Sequence, residues 1–283
     1  MGHQLDSRRE PMTTDPKGSL VCFLDERDSP KSLVVGGFYL SKKHLADLDN
    51  YMIAVKEGFK LAPQDTIKWN LQDKACAKAS RLIEERKVND LRKQVFSITD
   101  KIPIRVIMAL VWKGKPENVE DSWRWGFIDV LQRLSLTLDR KARSSEDFDF
   151  YPKLDVVFDW FPGKKRLDFY FDVYQNAFLE GFTFEKNKLP PLKKYDACPC
   201  LLVTSSKYSH ALQLADFLVG ACADFFNWCY TGEREQSVKL FFSSFYNYFR
   251  RGDDAKVIGC GLILKKEAQA KVLSRLKELG LEK

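Results

Sequence analysis

The chain has 283 residues, 45% of them hydrophobic, which is enough for a substantial core in one large domain or two small ones. Its 46 basic and 39 acidic side chains leave a formal charge of +7, a modest surplus that permits a polyanionic partner without demanding one. No stretch reaches the roughly 20 apolar residues of a membrane span, and the polar first 18 residues hold no apolar signal core, so the expectation is a cytoplasmic protein with no membrane partner.

Residues 1–18, with Pro11 and Pro16, are expected to form a disordered tail, and residues 19–283 a single domain with a helical elaboration at its C-terminal end. Ser19-Leu-Val-Cys-Phe-Leu is an apolar run that ends in the adjacent carboxylates Asp25 and Glu26, and it reads as a buried central strand. A turn at Glu26–Pro30 and a second apolar run, Ser32–Leu40, predict an antiparallel hairpin. Helical spacing follows over Lys42–Lys60, then a short extended piece at Ile67–Asn70 and a charged helical pattern from Gln72 to Ser97. Ile104–Trp112 predicts a third strand, and residues from Pro116 to Arg143 a long helix with Trp123, Phe127, Val130, Leu134 and Leu138 as its apolar stripe.

Leu154–Trp160 is a second acid-tipped strand, carrying Asp159. Beyond it the pattern predicts a helix over Leu167–Leu179, a Lys- and Pro-containing loop over Glu185–Tyr195, and a short strand at Leu201–Thr204. A helix bearing Gln213 and Asp216 comes next, then an aromatic helix over Glu233–Arg250, an extended segment at Val257–Leu264 and a final amphipathic helix. Strands and helices interspersed with short connections indicate an α/β fold, and the opening hairpin makes its sheet mixed. Seven cysteines, an odd number, argue against a disulfide framework. The one close pair, Cys198-Pro-Cys200, lacks the C-x-x-C spacing of a zinc knuckle.

Asp25, Asp159 and Asp216 all stand in apolar surroundings, where a carboxylate costs several kcal/mol unless it is paired or binds a cation. Hard Mg²⁺ or Mn²⁺ prefers oxygen ligands, and phosphodiester hydrolysis is commonly run by such cations. Three acids from two strands and a helix can converge on one such ion. Asp25, Glu26 and Asp159 each also have a plainer reading as turn residues; Asp216 shares a helical face with Gln213 and Gly220, and small Ala215 and Gly220 allow that helix to approach the sheet closely. Lys68 is the basic residue placed nearest a substrate phosphate, Ser206 and Gln213 are candidates to contact the substrate's backbone phosphates or to position Asp216, and His210 is a candidate proton shuttle.

Phe23-Leu-Asp25-Glu26, Val34-Val-Gly-Gly-Phe38, Ser206-Lys207 and Leu212-Gln-Leu-Ala-Asp216-Phe-Leu-Val-Gly220 together resemble the DUF3800 family of bacterial proteins, across roughly Leu20 to Phe225. The resemblance implies a ribonuclease H-like fold, a mixed central sheet flanked by helices, and a nuclease that cuts RNA or DNA in phage defence or mobile-element biology. It makes Asp25, Asp159 and Asp216 the metal-holding acids and Glu26 an accessory catalytic acid. Arg27 stands where that family has Ser, and Asp65-Thr66 where it has a Glu before the Lys68 position. The alternative is a catalytically degenerate module of the same fold that binds nucleic acid or a protein partner; a homodimer is also compatible with the sequence. Other chemistries are excluded by single residues. An Asp-x-Asp phosphotransferase needs an acid at Arg27, and Gly36-Gly37-Phe-Tyr-Leu-Ser-Lys lacks the second Gly of a P-loop.

Overall fold

Alternation along the first strand decides the architecture. A computed structural model describes residues 19–113, 119–144, 153–160, 164–184, 187–252 and 255–282. Residues 1–18, Pro116 and the first two residues of the predicted Glu185–Tyr195 loop lie outside them. Strand β1 (Leu20–Asp28) sends Val21 and Phe23 into one apolar cluster and Leu20, Cys22 and Leu24 into another. Successive side chains point to opposite faces, so a strand apolar throughout must be covered on both sides.

β1 pairs antiparallel with β2 (Ser32–Ser41), which pairs antiparallel with β3 (Arg105–Trp112). On its other edge β1 runs parallel to β4 (Leu154–Asp159), and β4 parallel to β7 (Leu202–Thr204). The mixed sheet of six strands has the order β7-β4-β1-β2-β3-β8, with β8 (Leu262–Leu264) parallel to β3. The predicted hairpin is therefore present, but β1 continues through Glu26, Arg27 and Asp28, and the turn falls at Ser29–Lys31, where Ser29 bonds Ser32. Asp25 is not the end of the strand. It is the point where β1 parts from β4, since their pairing stops at Leu24 and Phe158.

One face of the sheet is covered by α4 (Val119–Ser144) and α5 (Lys164–Glu180), through Phe127, Val130, Leu134, Leu138, Tyr170 and Val173. The other is covered by α1 (Leu45–Gly58), α3 (Val88–Phe96) and α6 (His210–Thr231). Local chemistry sets the limits of α6. The Ser209 hydroxyl accepts the N–H of Leu212 at its start, and Gly232 adopts the left-handed conformation at its end. Seventeen of its 22 residues are buried, so this helix is core on nearly every side.

Three predicted elements away from the acids differ. The helical pattern over Gln72–Ser97 breaks into a 3-10 turn at Lys74–Cys76, α2 (Arg81–Glu84) and α3. The break after α2 is a left-handed cap at Arg86 (φ 56°), closed by the Lys87 N–H on the Leu82 carbonyl. The Lys-containing loop carries a short strand, β6 (Asn187–Leu189), which pairs antiparallel with β5 (Phe182–Phe184) just before it. The aromatic helix is likewise segmented into α7 (Glu235–Ser237), a π-helical turn at Val238–Phe242, α8 (Ser243–Phe245) and a 3-10 turn. Its rings are core: Phe241, Phe242, Phe245 and Tyr246 are all buried. The last helix, α9 (Lys266–Glu278), packs Val272 and Leu276 inward, and no described helix is long and apolar enough to cross a membrane.

Candidate active site

The two acid-bearing strands bring their carboxylates side by side by register alone. The β1–β4 pairing, continued one residue past Leu24 and Phe158, sets Asp25 beside Asp159. Both then lie on the α6 face of the sheet, shared with Val21, Phe23 and Val157. Asp216 comes from the second turn of α6, and the three carboxylates line one cavity of about 410 Å³ together with Lys68. The alternation of β1 sends Glu26 the other way, where its Oε2 accepts the Tyr170 hydroxyl at 2.5 Å; it meets the cavity only at the wall.

Backbone amides orient each acid. The N–H of Glu26 donates to Asp25 Oδ1 at 2.7 Å, the N–H of Ser206 to Asp159 Oδ1 at 2.6 Å, and the N–H of Trp69 to Asp216 Oδ2 at 2.5 Å. Ser206 and Gln213 act behind this front. Both are buried, and Gln213 Nε2 donates to the Ser206 carbonyl at 2.8 Å, holding the amide that holds Asp159. They position an acid and do not line the cavity. His210 is also away from it, bonded to Asp49 and to the Pro63 carbonyl.

Crowding of buried negative charge shifts the titration of the whole group. Burial, then the charges of Asp216 and Asp159, push the Asp25 carboxyl well above the ordinary carboxylate range. Burial raises Asp216 to about 6 against the Trp69 amide and the charges of Lys68 and Arg27, and raises Asp159 against the Ser206 hydrogen bonds. Burial works against the Lys68 ammonium, but Asp216, Asp73, Asp159 and Asp25 outweigh it and hold its pKa above the ordinary lysine value. Lys68 is thus the countercharge of the cluster in this state.

The segment that delivers Lys68 is an irregular loop rather than the extended piece its sequence predicts. It is seated by Trp69, whose indole lies against the backbone of α6 at Gly220; a Cβ there would stand 2.2 Å from the Trp69 Cγ. The close approach read from Gly220 in the sequence is used by this ring, not by the sheet. Arg92 stacks over the ring at 3.7 Å from its centroid and donates from Nη2 to the Trp69 carbonyl at 2.6 Å. Phe96, Phe217 and Phe241 surround the edge.

Several cavity residues were not among the sequence candidates. Asp73 lines it and pairs with Lys68 at 3.4 Å, while Asp65, the acid nearest the family's Glu position, faces elsewhere and bonds the Ala62 amide and Lys78. Arg27, Asp28, Asn70, Trp160 and Val219 complete the wall. Asp73 also accepts the Ala75 amide as a cap, and that capping position was the only signal it carried in the sequence.

The donor chemistry fits a hard divalent cation, because it consists of carboxylate oxygens whose mutual repulsion a cation would relieve. Among the described residues, though, no three His, Cys, Asp or Glu side chains stand as a ready-made metal cluster. The acids share a cavity in which Lys68, rather than ligand geometry, balances the charge. No protein-family model matches this chain, and no curated protein matches it.

Proposed function

We propose that this protein is a metal-dependent nuclease of ribonuclease H-like fold, similar to the DUF3800 proteins, that hydrolyses phosphodiester bonds in RNA or DNA. The observation that carries the reading is that Asp25, Asp159 and Asp216, from three separate elements, line one cavity and raise one another's affinity for positive charge. The mixed sheet flanked by helices, with acids on the first strand, a neighbouring strand and a late helix, supports the fold assignment.

Asp25, Asp159 and Asp216 would hold Mg²⁺ or Mn²⁺, which when bound supplies an activated water and neutralises charge at the phosphate. The chain's own residues prepare the rest. Lys68 offers its ammonium to a phosphate oxygen once a cation has taken over its role beside the acids. Trp160 is 57% exposed on the cavity wall, a stacking surface suited to a nucleobase. The Ser206–Gln213 pair keeps Asp159 aimed inward without touching substrate.

The test is cleavage of labelled single- and double-stranded DNA and RNA by purified protein, with Mg²⁺, Mn²⁺ or EDTA. Cutting that needs the cation and disappears in Asp216→Asn is the expected result. One observation favours the competing reading of a binding module without catalysis, namely that the described acids form no metal cluster. Nucleic-acid binding with no cutting, indifferent to EDTA and to Asp216→Asn, would select that module and overturn the nuclease.

A further inference from the structure

A second cavity of about 410 Å³ adjoins the acidic one and shares Arg27 and Asn70 with it. Its character is the reverse. Arg27 enters from β1, Arg92 from α3 and Arg234 from the turn after α6, so three guanidinium groups from distant parts of the chain line one opening. Among the described residues, none of the three makes an ion pair with a carboxylate.

Such a gathering of like charge is costly in a protein that has no use for it. Arg92 Nη2 is held by the Trp69 carbonyl, yet its Nε is buried and has no hydrogen-bond partner. Burial lowers the Arg92 pKa to about 10; Arg27 and Arg234 push the same way, against Asp224 and Asp216. Asp224 is the cavity's one carboxylate, and its Oδ2 already accepts the Ser237 hydroxyl at 2.8 Å. Arg234 stands at the N-terminal cap of α7 with left-handed backbone at φ 70°, in the turn that brings it beside the other two. Guanidinium forks match phosphate oxygens better than any other side chain, and every nucleic-acid strand presents a phosphate beside the one being cut.

We propose that the cavity walled by Arg27, Arg92 and Arg234 binds a phosphate group of a nucleic-acid strand and so sets which neighbouring bond lies over the acids. That the phosphate belongs to a nucleic acid rests on the nuclease reading; phosphate binding by the three arginines does not. Arg27 is the hinge between the two, since it lines both cavities. The residue that departs from the family pattern on β1 thus gains a role: it links the acids to the phosphate site.

The experiment works in EDTA, so that the acids' cation is not involved. Binding of fluorescent oligonucleotides carrying a 5′-phosphate or a 5′-hydroxyl is measured by anisotropy at two salt concentrations, beside thermal stabilisation by inorganic phosphate. Arg27→Gln with Arg234→Gln should weaken oligonucleotide binding at least tenfold and reduce the salt slope by about 1 to 2. It should also remove the stabilisation by phosphate. Arg234→Gln alone, at an exposed position, gives a partial loss without risk to the fold. Tighter binding of the 5′-phosphate form assigns a strand end to the site, and equal binding assigns an internal phosphodiester. Wild-type affinity and salt slope in the double variant would overturn the proposal. Asp216→Asn should leave binding in EDTA intact, so a protein that loses binding with its arginines but never cuts keeps this site and loses only the nuclease.

Discussion

Asp25→Asn should abolish cation-dependent cleavage, by at least about a hundredfold, and at the same time make the cation-free protein more stable at pH 8. Both effects come from the same crowding. Burial raises the carboxyl pKa values of Asp25, Asp159 and Asp216, the last to about 6, and repulsion between the acids adds to it at Asp25 and Asp216. In the unfolded chain these carboxyls ionise near 4. Above about pH 4 the fold holds protons that the unfolded chain releases, so the cluster's stability is complete below about pH 4; the share of Asp216 is lost as pH rises through 6, and those of Asp159 and Asp25 as it rises through their own raised values. Wild-type protein in EDTA should therefore lose melting temperature from pH 5 to pH 8 on account of this site, and Asp25→Asn should flatten that loss. The asparagine keeps an oxygen to accept the Glu26 amide, so the substitution removes charge and little else. Mg²⁺ should restore the wild type at pH 8, have little effect at pH 5 where protons compete, and leave the variant unmoved. Melts at both pH values, with EDTA and with Mg²⁺, check all of this. A variant less stable than wild type at pH 8 in EDTA would show that the Asp25 charge is structural.

The parts of this site that could be read beforehand are those written in local pattern. Asp25, Asp159 and Asp216 stand out because each interrupts an apolar run, and apolar runs of that length can only be central strands or a buried helix. Their meeting point then follows from the sheet order. Glu26 read as an accessory acid beside Asp25; alternation along a strand puts the two on opposite faces, and only the covered sheet shows which face holds the site. What local pattern cannot carry is contact between remote segments. Trp69 and Asp216 are 147 positions apart, and neither marks the other. The loop between α1 and α2 has almost no periodicity of its own; it is shaped by Trp69 on Gly220 and by Arg81, whose guanidinium bonds the Phe59 carbonyl at 2.5 Å. Arg27, Arg92 and Arg234 likewise look like surface charge until the fold places them together.

The seat of Trp69 gives the largest expected loss of stability, and a way to prove that the loop and α6 meet there. Trp69→Ala removes a ring that is 3% exposed and should cost about 3 to 5 kcal/mol in urea unfolding. Gly220→Ala presents two opposed effects. Alanine favours a helix over glycine by about 1 kcal/mol. Its Cβ, however, would lie 2.2 Å from Trp69 Cγ and 2.5 Å from Cδ1, at the root of a buried side chain that also packs against Arg92 and three phenylalanines. Overpacking of this kind costs about 1 to 3 kcal/mol, so the clash should win and the variant be destabilised. It should also weaken cleavage, because the displaced loop carries both the amide on Asp216 and the ammonium of Lys68. In the double variant two of the three close contacts vanish with the ring, leaving only the Cβ of residue 69, and the loosened loop can move from it. The two losses should then sum to less than their separate values, by about 1 kcal/mol or more. Strict additivity in the cycle would mean that the ring does not rest on Gly220, and the placement of Lys68 over the acids would fall with it.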